Sequence, residues 1–106
     1  MKGGVLMDIK REDVIFKSPA NAMKKFEGVG GMLYLTKDAL IHQPHRFNVQ
    51  KEETYISLDD IEAIEAKDDY VVLRNKITVF TREGRIYHFR VQMRKDWLYY
   101  LNQYVN

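Results

Sequence analysis

The segment from Met93 to Val105 is the one stretch of this chain with the clear periodicity of an amphipathic helix. At 100° per residue, one face of this helix carries Met93, Trp97, Leu101 and Tyr104. The opposite face carries polar side chains and one tyrosine, namely Lys95, Asp96, Tyr99, Asn102 and Gln103. Residues 13–91 have instead the short apolar runs and turns that are typical of β-strands. A single helix with the only tryptophan must therefore cover one opening or one face of a sheet.

Length and composition predict a single domain. A chain of 106 residues, 45% of them hydrophobic, can bury one core and is too short for two. We expect residues 1–12 to form a loose tail and residues 13–106 to form the domain. The absence of cysteine excludes disulfide bonds, thiol nucleophiles and the common structural zinc sites. There is no signal-peptide core and no apolar run of about 20 residues, so we expect a cytoplasmic protein.

Proline and glycine divide the first third of the chain. A short apolar strand over residues 13–17 is expected to end in a loop at Pro19. Residues 20–26 fit either a helical turn or a second extended piece, and the pattern does not decide between them. Three glycines within residues 28–31 predict a bend where two strands approach closely.

The middle of the chain predicts a hairpin, a strand and a turn. Residues 32–36 and 39–42 are two β-prone runs with a tight polar connection, which favours a hairpin. Residues 53–58 alternate as a strand does, and the apolar spacing then lengthens to three, which fits a helical turn or a bulge. Asp59 and Asp60 are placed to supply side-chain acceptors for the free amides of that turn.

A second hairpin precedes the helix. Residues 76–81 and 86–91 are the predicted strands, and Gly84 lies in the turn where a positive φ is easiest. In the second strand, the residues expected to share one face are Tyr87, Phe89 and Val91, and those expected on the other face are Ile86, His88 and Arg90.

Three segments of this pattern, in this order, are similar to motifs of the GRAM family. They are Gly31–Thr36 with Ala39–Ile41, then Ile56–Ile61 with Ile64, and finally Ile77–Thr81 with Glu83, Gly84 and Tyr87–Phe89. Together they cover about residues 14–104. The chain thus resembles a small stand-alone GRAM domain of bacterial type.

This resemblance implies the pleckstrin-homology-like (PH-like) superfold. The expected fold is mainly β, a barrel or sandwich of six to seven antiparallel strands capped by one C-terminal helix at about 93–105. It also implies a binding module and not an enzyme, with no cofactor, because lipid or protein binding is the usual proposal for the family. Unlike phosphoinositide-binding relatives, this sequence has no dense cluster of lysine and arginine between its first two strands.

Basic residues in two predicted loops are the candidate ligand-binding side chains. They are Lys24 and Lys25 in the first loop, with His45, Arg46 and Lys51 in the later one. If both loops lie at the open end of the barrel, these side chains could converge on a phosphate of an anionic lipid head group. The alternative is that they are solvated loop charges, since lysine and arginine are common on protein surfaces.

Apolar residues in a charged surrounding are the candidate partner contacts. Tyr70, Val71, Val72 and Leu73 lie between charged residues and need a burial partner. They could extend a strand or the core, contact a partner or a second copy, or insert at a membrane surface. Tyr99 on the polar face of the helix is another candidate contact, because tyrosine is favoured at interfaces.

The sequence predicts no metal site, no catalytic site and no nucleic-acid site. His42 and His45 are three residues apart around a proline, so they need not face the same way. The acidic residues near the predicted turn, Asp59, Asp60, Glu62 and Glu65, lack the alternation of a calcium loop. The glycines at 28–31 are followed by a strand and not by the Gly-Lys-Ser/Thr of a phosphate loop. A formal charge of +2 gives no electrostatic footprint for nucleic acid.

Two functions remain open at this stage. The leading hypothesis is a non-enzymatic module that binds a protein partner or a second copy of itself. The alternative is a peripheral membrane module that binds anionic lipid head groups through its basic loops. The two hypotheses differ in their salt dependence, because contacts between exposed charges weaken with ionic strength and apolar contacts do not.

Overall fold

The computed structural model describes residues 8–24, 27–45, 52–66 and 75–105. These residues form seven antiparallel strands and one α-helix. The strands are β1 (Val14–Lys24), β2 (Glu27–Thr36), β3 (Ala39–Pro44), β4 (Thr54–Ser57), β5 (Ile61–Glu65), β6 (Lys76–Thr81) and β7 (Ile86–Val91), and the helix is α1 (Arg94–Tyr104). Their order in the sheet is β4-β3-β2-β1-β7-β6-β5. The predicted mainly β fold with one C-terminal helix is confirmed.

Strand β1 is the centre of the sheet and is longer than the sequence predicted. It pairs with β2 along its length and with β7 from Ala20 to Met23. The predicted end of the strand at Pro19 is wrong, because Pro19 lies inside β1 opposite Met32. Pairing with β7 begins only at Ala20, so one edge of β1 is free of a partner strand at the proline, where a missing N–H is tolerated. Residues 20–24 are therefore extended and not helical.

The glycines at 28–31 do not form a bend but lie inside β2. The predicted close approach of two strands is nevertheless found at Gly31, which faces Pro44 across β2 and β3. A Cβ at Gly31 would collide with the carbonyl oxygen of Gln43 and lie 2.8 Å from the Cα of Pro44. The lack of a side chain at Gly31 is what allows β3 to come this close.

Both predicted hairpins are present, and each turn has a threonine hydroxyl at its base. In the turn between β2 and β3, the Oγ1 of Thr36 accepts the N–H of Asp38 at 3.2 Å and that of Ala39 at 3.1 Å. In the turn between β6 and β7, the Oγ1 of Thr81 donates to the carbonyl of Arg85 at 2.8 Å. Gly84 has the expected positive φ of 95°.

The predicted helical turn after β4 is a 3-10 turn over Leu58–Asp60. Contrary to expectation, the hydrogen bonds that Asp59 and Asp60 accept from described residues go to their backbone carbonyls and not to their carboxylates. The backbone carbonyls of these two aspartates accept hydrogen bonds from Arg82. Arg82 donates to the Asp59 carbonyl through Nε at 3.1 Å and to the Asp60 carbonyl through its backbone N–H at 2.8 Å.

Helix α1 covers the sheet through its central residues. Trp97 is 0% exposed and Leu101 is 1% exposed, and both belong to the hydrophobic core. The other two residues predicted for this face, Met93 and Tyr104, are exposed, which corrects the prediction. Met93 precedes the helix in a left-handed conformation with φ of 57°, and Tyr104 is its last residue, so neither lies over the core.

Candidate functional site

A cavity of about 430 Å³ lies where three strand ends meet. Its walls are the end of β1 (Ala22–Lys24), the start of β4 with the two residues before it (Glu52–Tyr55), and the start of β7 with the residue before it (Arg85–Phe89). Strands β1 and β7 are neighbours in the sheet, whereas β4 is its far edge. The sheet must therefore curl so that β4 faces β1 and β7. We call this the open-end cavity.

Pairing between strands explains which side chains reach the open-end cavity. Ala22 pairs with Phe89 and Met23 pairs with His88, so the last residues of β1 lie beside the first residues of β7. Ala22 and Phe89 are buried core residues and form the floor. Antiparallel pairing thus positions the floor of the cavity from residues that are far apart in the sequence.

Two large apolar side chains stand exposed at the rim of this cavity. Tyr55 on β4 is 49% exposed and Ile86 on β7 is 54% exposed. Tyr55 lies on the edge strand β4, whereas Ile86 lies on the interior strand β7. Side chains of this size in the open, next to a cavity, are a feature of binding surfaces.

The charges of the cavity are mixed. Lys24 donates to the Glu52 carbonyl at 3.3 Å, and its Nζ lies 3.6 Å from Oε1 of the same residue. Glu53 accepts a hydrogen bond from Nε2 of Gln43 at 2.8 Å. Two carboxylates, from Glu52 and Glu53, thus stand beside two cations, from Lys24 and Arg85.

Arg85 is held as a cation at the turn before β7. A hydrogen bond to the side chain of Tyr87 raises the pKa of Arg85, and the Glu83 carboxylate acts in the same direction. The Nε of Arg85 lies 3.9 Å from Oε1 of Glu83. The guanidinium is exposed to solvent.

His42 lies inside the barrel, close to the floor of the open-end cavity. It is 0% exposed, its ring centroid lies 6.1 Å from that of Phe89, and its Nε2 lies 2.8 Å from the Ala20 carbonyl oxygen. Nε2 therefore carries the proton and donates it. Nδ1 has no hydrogen-bond partner among the described residues. Burial lowers the pKa of His42, and the positive charge of Lys24 and His45 lowers it further, against the bond to Ala20.

No protein-family model matches the chain, and a search of curated proteins finds no match. Solved structures do match it. The C-terminal domain of an unknown protein from Leishmania infantum has a TM-score of 0.68 at 17% identity, with 82% of this chain and 77% of that one covered.

Two further matches are pleckstrin-homology (PH) domains. The N-terminal PH domain of human ARAP2 matches with a TM-score of 0.67 at 16% identity. The match covers 92% of this chain and 84% of the ARAP2 domain. The Slm1 PH domain, solved with inositol-4-phosphate, matches with a TM-score of 0.65 at 12% identity. The match covers 88% of this chain and 98% of the Slm1 domain. The chain has a PH-like fold. Membership of the GRAM family and a bacterial origin stay predictions.

Of the predicted ligand-binding residues, the structure describes Lys24 and His45, and these two lie in different places in the PH-like fold. Lys24 lines the open-end cavity. His45 is exposed and does not line it, although its backbone N–H donates to the Gly30 carbonyl at 2.9 Å. Lys25, Arg46 and Lys51 lie outside the described residues.

The predicted partner contacts are also only partly described. Tyr99 on the PH-like domain's helix is 60% exposed, as expected, and its ring stands edge-on to Tyr100 with centroids 5.2 Å apart. The predicted apolar contact at 70–73 lies outside the described residues. Tyr99 does not line the open-end cavity, so the two candidate surfaces are separate.

His42 and His45 do not form a metal site. His42 is enclosed in the barrel, whereas His45 is on the surface. Over residues 8–24, 27–45, 52–66 and 75–105, no three histidine or acidic side chains are grouped as metal ligands. Over the same ranges, none of the helices has the length and hydropathy needed to span a membrane.

Sequence reasoning missed the charged and apolar residues of the cavity other than Lys24, among them Glu52, Glu53, Tyr55, Arg85 and Ile86. Arg85 and Ile86 reach it because β1 pairs with β7, and the residues at 52–55 reach it because the sheet curls until β4 faces them, which no local pattern reveals. One signal was nevertheless present. Ile86 is an apolar residue on the strand face that also carries His88 and Arg90, and an apolar residue on a polar face marks a candidate contact.

Proposed function

We propose that this PH-like domain is a non-enzymatic binding module that takes a segment of a protein partner into the open-end cavity. The observation that carries the proposal is the combination of an apolar rim, Tyr55 and Ile86, with charges of both signs in the walls. An apolar rim provides the hydrophobic contact, and mixed charges provide the orientation. The proposal assigns no catalytic step, metal or nucleic acid to the protein, and it places the protein in the cytoplasm.

The balance of charge favours a peptide over a bare anion. Lys24 is already paired with Glu52, so an anion must displace a carboxylate to reach it. A peptide presents its own donors and acceptors and can pair with charges of both signs in the walls. A volume of about 430 Å³ lies within the range of ligand pockets in proteins, about 300–1,000 Å³, and holds side chains rather than a whole domain.

The test is a peptide selection followed by substitution at the rim. Peptides selected from a displayed library against the full chain are measured by titration calorimetry with the Ile86→Ser and Tyr55→Ser variants. We expect each variant to weaken binding by about tenfold or more, since each removes about 1.4 kcal/mol or more of apolar contact. High salt should change the affinity only slightly.

Tyr99→Ser is the matched control, because Tyr99 is equally exposed and lies outside the cavity. We expect it to leave the affinity unchanged. If Tyr99→Ser abolishes binding and the rim variants bind fully, the surface that contacts the partner lies on α1. This result would also refute the cavity as the peptide site. Light scattering of the protein alone tests a second copy as the partner.

A second candidate function is the binding of an anionic head group in the same cavity. Lys25 follows Lys24, which lines the cavity, and Lys51 precedes Glu52, which also lines it. The sequence thus has a further lysine directly next to each of these two lining residues. The matched Slm1 PH domain was solved with inositol-4-phosphate. Such binding would place the protein at the periphery of a membrane.

Titration with inositol-4-phosphate and co-sedimentation with phosphatidylserine vesicles test this candidate. We expect salt-sensitive binding that Lys24→Ala and Arg85→Ala weaken, because exposed ion contacts are screened as salt rises. Binding that survives both substitutions, or that does not depend on salt, contradicts it. Neutral phosphatidylcholine vesicles are the control.

A further inference from the structure

Ile41 points away from the core and is still only 2% exposed. Its neighbours in β3 face inward, because Leu40 belongs to the core cluster and His42 bonds the Ala20 carbonyl inside the barrel. Side chains alternate along a strand, so Ile41 lies on the outer face of the sheet. Its cross-strand neighbours on that face are Tyr34 and Tyr55, and residues 8–13 lie next to it outside the sheet.

Residues 8–10 and Asp13 line a second cavity, of about 330 Å³, together with Ile41 and Tyr55. Ile9 is the only apolar residue between positions 8 and 13, and it is half-buried. It is the apolar side chain of this segment that lines the cavity beside Ile41 and Tyr55.

The segment is held weakly. Among the described residues, the hydrogen bond that joins residues 8–12 to the sheet is a local one, from the N–H of Val14 at the start of β1 to the Arg11 carbonyl. The N–H of Asp13 donates to Lys10 within the segment at 3.0 Å, and pairing with β2 begins only at Val14. A segment that is held by one apolar side chain, with solvent-exposed charges around it, belongs to the low-stability end of a domain.

We propose that residues 8–13 are a displaceable strap over an apolar surface formed by Ile41 and Tyr55. Tyr55 lines both the strap cavity and the open-end cavity, so it connects the two. When the strap leaves, Ile41 is opened to solvent and the Tyr55 ring loses one of its supports. The wall of the open-end cavity then changes. This second step rests on the proposed function, whereas the strap itself does not.

Thiol labelling measures the opening directly, because the chain has no cysteine. The full chain with Ile41→Cys is treated with a maleimide under native conditions. Val79→Cys is the matched control, since Val79 is 0% exposed but belongs to the core. We expect Ile41→Cys to react at least about tenfold faster, because its exposure needs only local opening.

Substitutions within the strap identify the contact. Ile9→Asp combined with Ile41→Cys should raise the labelling rate again, by about tenfold, and Glu12→Ser in the same segment should not change it. Labelling of Ile41→Cys as slow as that of Val79→Cys would overturn the proposal, since opening would then require global unfolding. Fast labelling that Ile9→Asp leaves unchanged would also overturn it, because Ile9 would not be the cover.

The connection to the open-end cavity is tested with a peptide selected as described above. Ile9→Asp should change its affinity by about fivefold or more. An unchanged affinity would refute the connection through Tyr55. If no selected peptide binds the unmodified chain, the proposed function is refuted. The labelling rates would still show whether residues 8–13 open, because they do not depend on peptide binding.

Discussion

Trp97 is the residue through which α1 and the sheet meet. Its Nε1–H donates to the Oγ of Ser18 at 2.7 Å, and Phe16 stands edge-on to its ring with centroids 4.8 Å apart. Tyr100 stacks on the other side of Phe16 at 4.9 Å. A buried indole thus has both an apolar surrounding and a partner for its only polar group.

Removing this partner should destabilise the domain without changing its shape. Ser18→Ala leaves the buried indole N–H without an acceptor, which should lower the free energy of unfolding by about 1–3 kcal/mol. Trp97→Ala should cost more, about 3–5 kcal/mol, because it also opens a cavity. Urea denaturation measures both. Ser57→Ala is the control, and a Ser18→Ala variant as stable as this control would contradict the role of the hydroxyl.

His42 makes stability depend on pH. Its pKa in the folded chain is lowered from the ordinary value of 6.5, mainly by burial. At pH values between the lowered pKa of the folded chain and the ordinary pKa of 6.5 in the unfolded chain, the unfolded chain binds more protons than the folded chain. The free energy of unfolding therefore rises with pH in that window. The contribution is fully present above pH 6.5 and is lost as the pH falls toward the folded pKa.

Chemical denaturation from pH 7.5 down to pH 5 measures this dependence. We expect the free energy of unfolding to fall with pH in the wild type and to fall less steeply in His42→Leu, which cannot be protonated. The variant will be less stable at pH 7.5, because the Ala20 carbonyl loses its donor. If the free energy of unfolding falls equally steeply with pH in the wild type and in His42→Leu, His42 does not cause the loss of stability at low pH.

At the scale of elements, the contact between β2 and β3 depends on one missing side chain. Gly31→Ala would place a Cβ against the backbone of Gln43 and Pro44, which cannot give way as a side chain can. We expect a loss of about 1–3 kcal/mol in unfolding free energy or failure to fold. Gly28→Ala is the control, since its nearest neighbour is the Sδ of Met23 at 3.4 Å. It should stabilise slightly, by about 0.5 kcal/mol. Thermal melts of both variants that coincide with the wild type would contradict this account.

The elements that the sequence predicted well are those defined by local patterns. The hairpins β2–β3 and β6–β7 follow from alternation on both sides of a short polar turn, and α1 follows from helical periodicity. β1 was cut short at Pro19, because the rule for proline describes a strand with two partners and Pro19 has only one. Pairing between distant strands overrode the local signal.

The candidate site was predicted less well, because it depends on that distant pairing. Lys24 was found from its charge. Ile86 comes to the cavity only because β1 pairs with β7, and Tyr55 only because the sheet curls until β4 faces them. Side chains that share a cavity without sharing a segment leave no periodic pattern in the sequence.

At the scale of the whole molecule, β1 makes the domain one cooperative unit. It pairs with β2 on one side and with β7 on the other, and its Ser18 bonds Trp97 of α1. Both halves of the sheet are thus bonded to the same strand. We therefore expect a two-state transition, in which Trp97 fluorescence and far-ultraviolet circular dichroism give the same denaturation midpoint. Two separate midpoints would show that β5–β7 unfold independently of β2–β4.

The two ends of β1 have different tasks. Near its start, Phe16 and Ser18 hold the helix, and at its end Ala22–Lys24 line the open-end cavity. Under the proposed function, selection on binding and selection on folding would act on different positions of one strand. In a library that randomises single positions, Phe16, Ser18 and Trp97 should tolerate few replacements, whereas Met23 and Lys24 should tolerate many. A protein built in this way can acquire a new ligand by drift at one end and keep its architecture at the other.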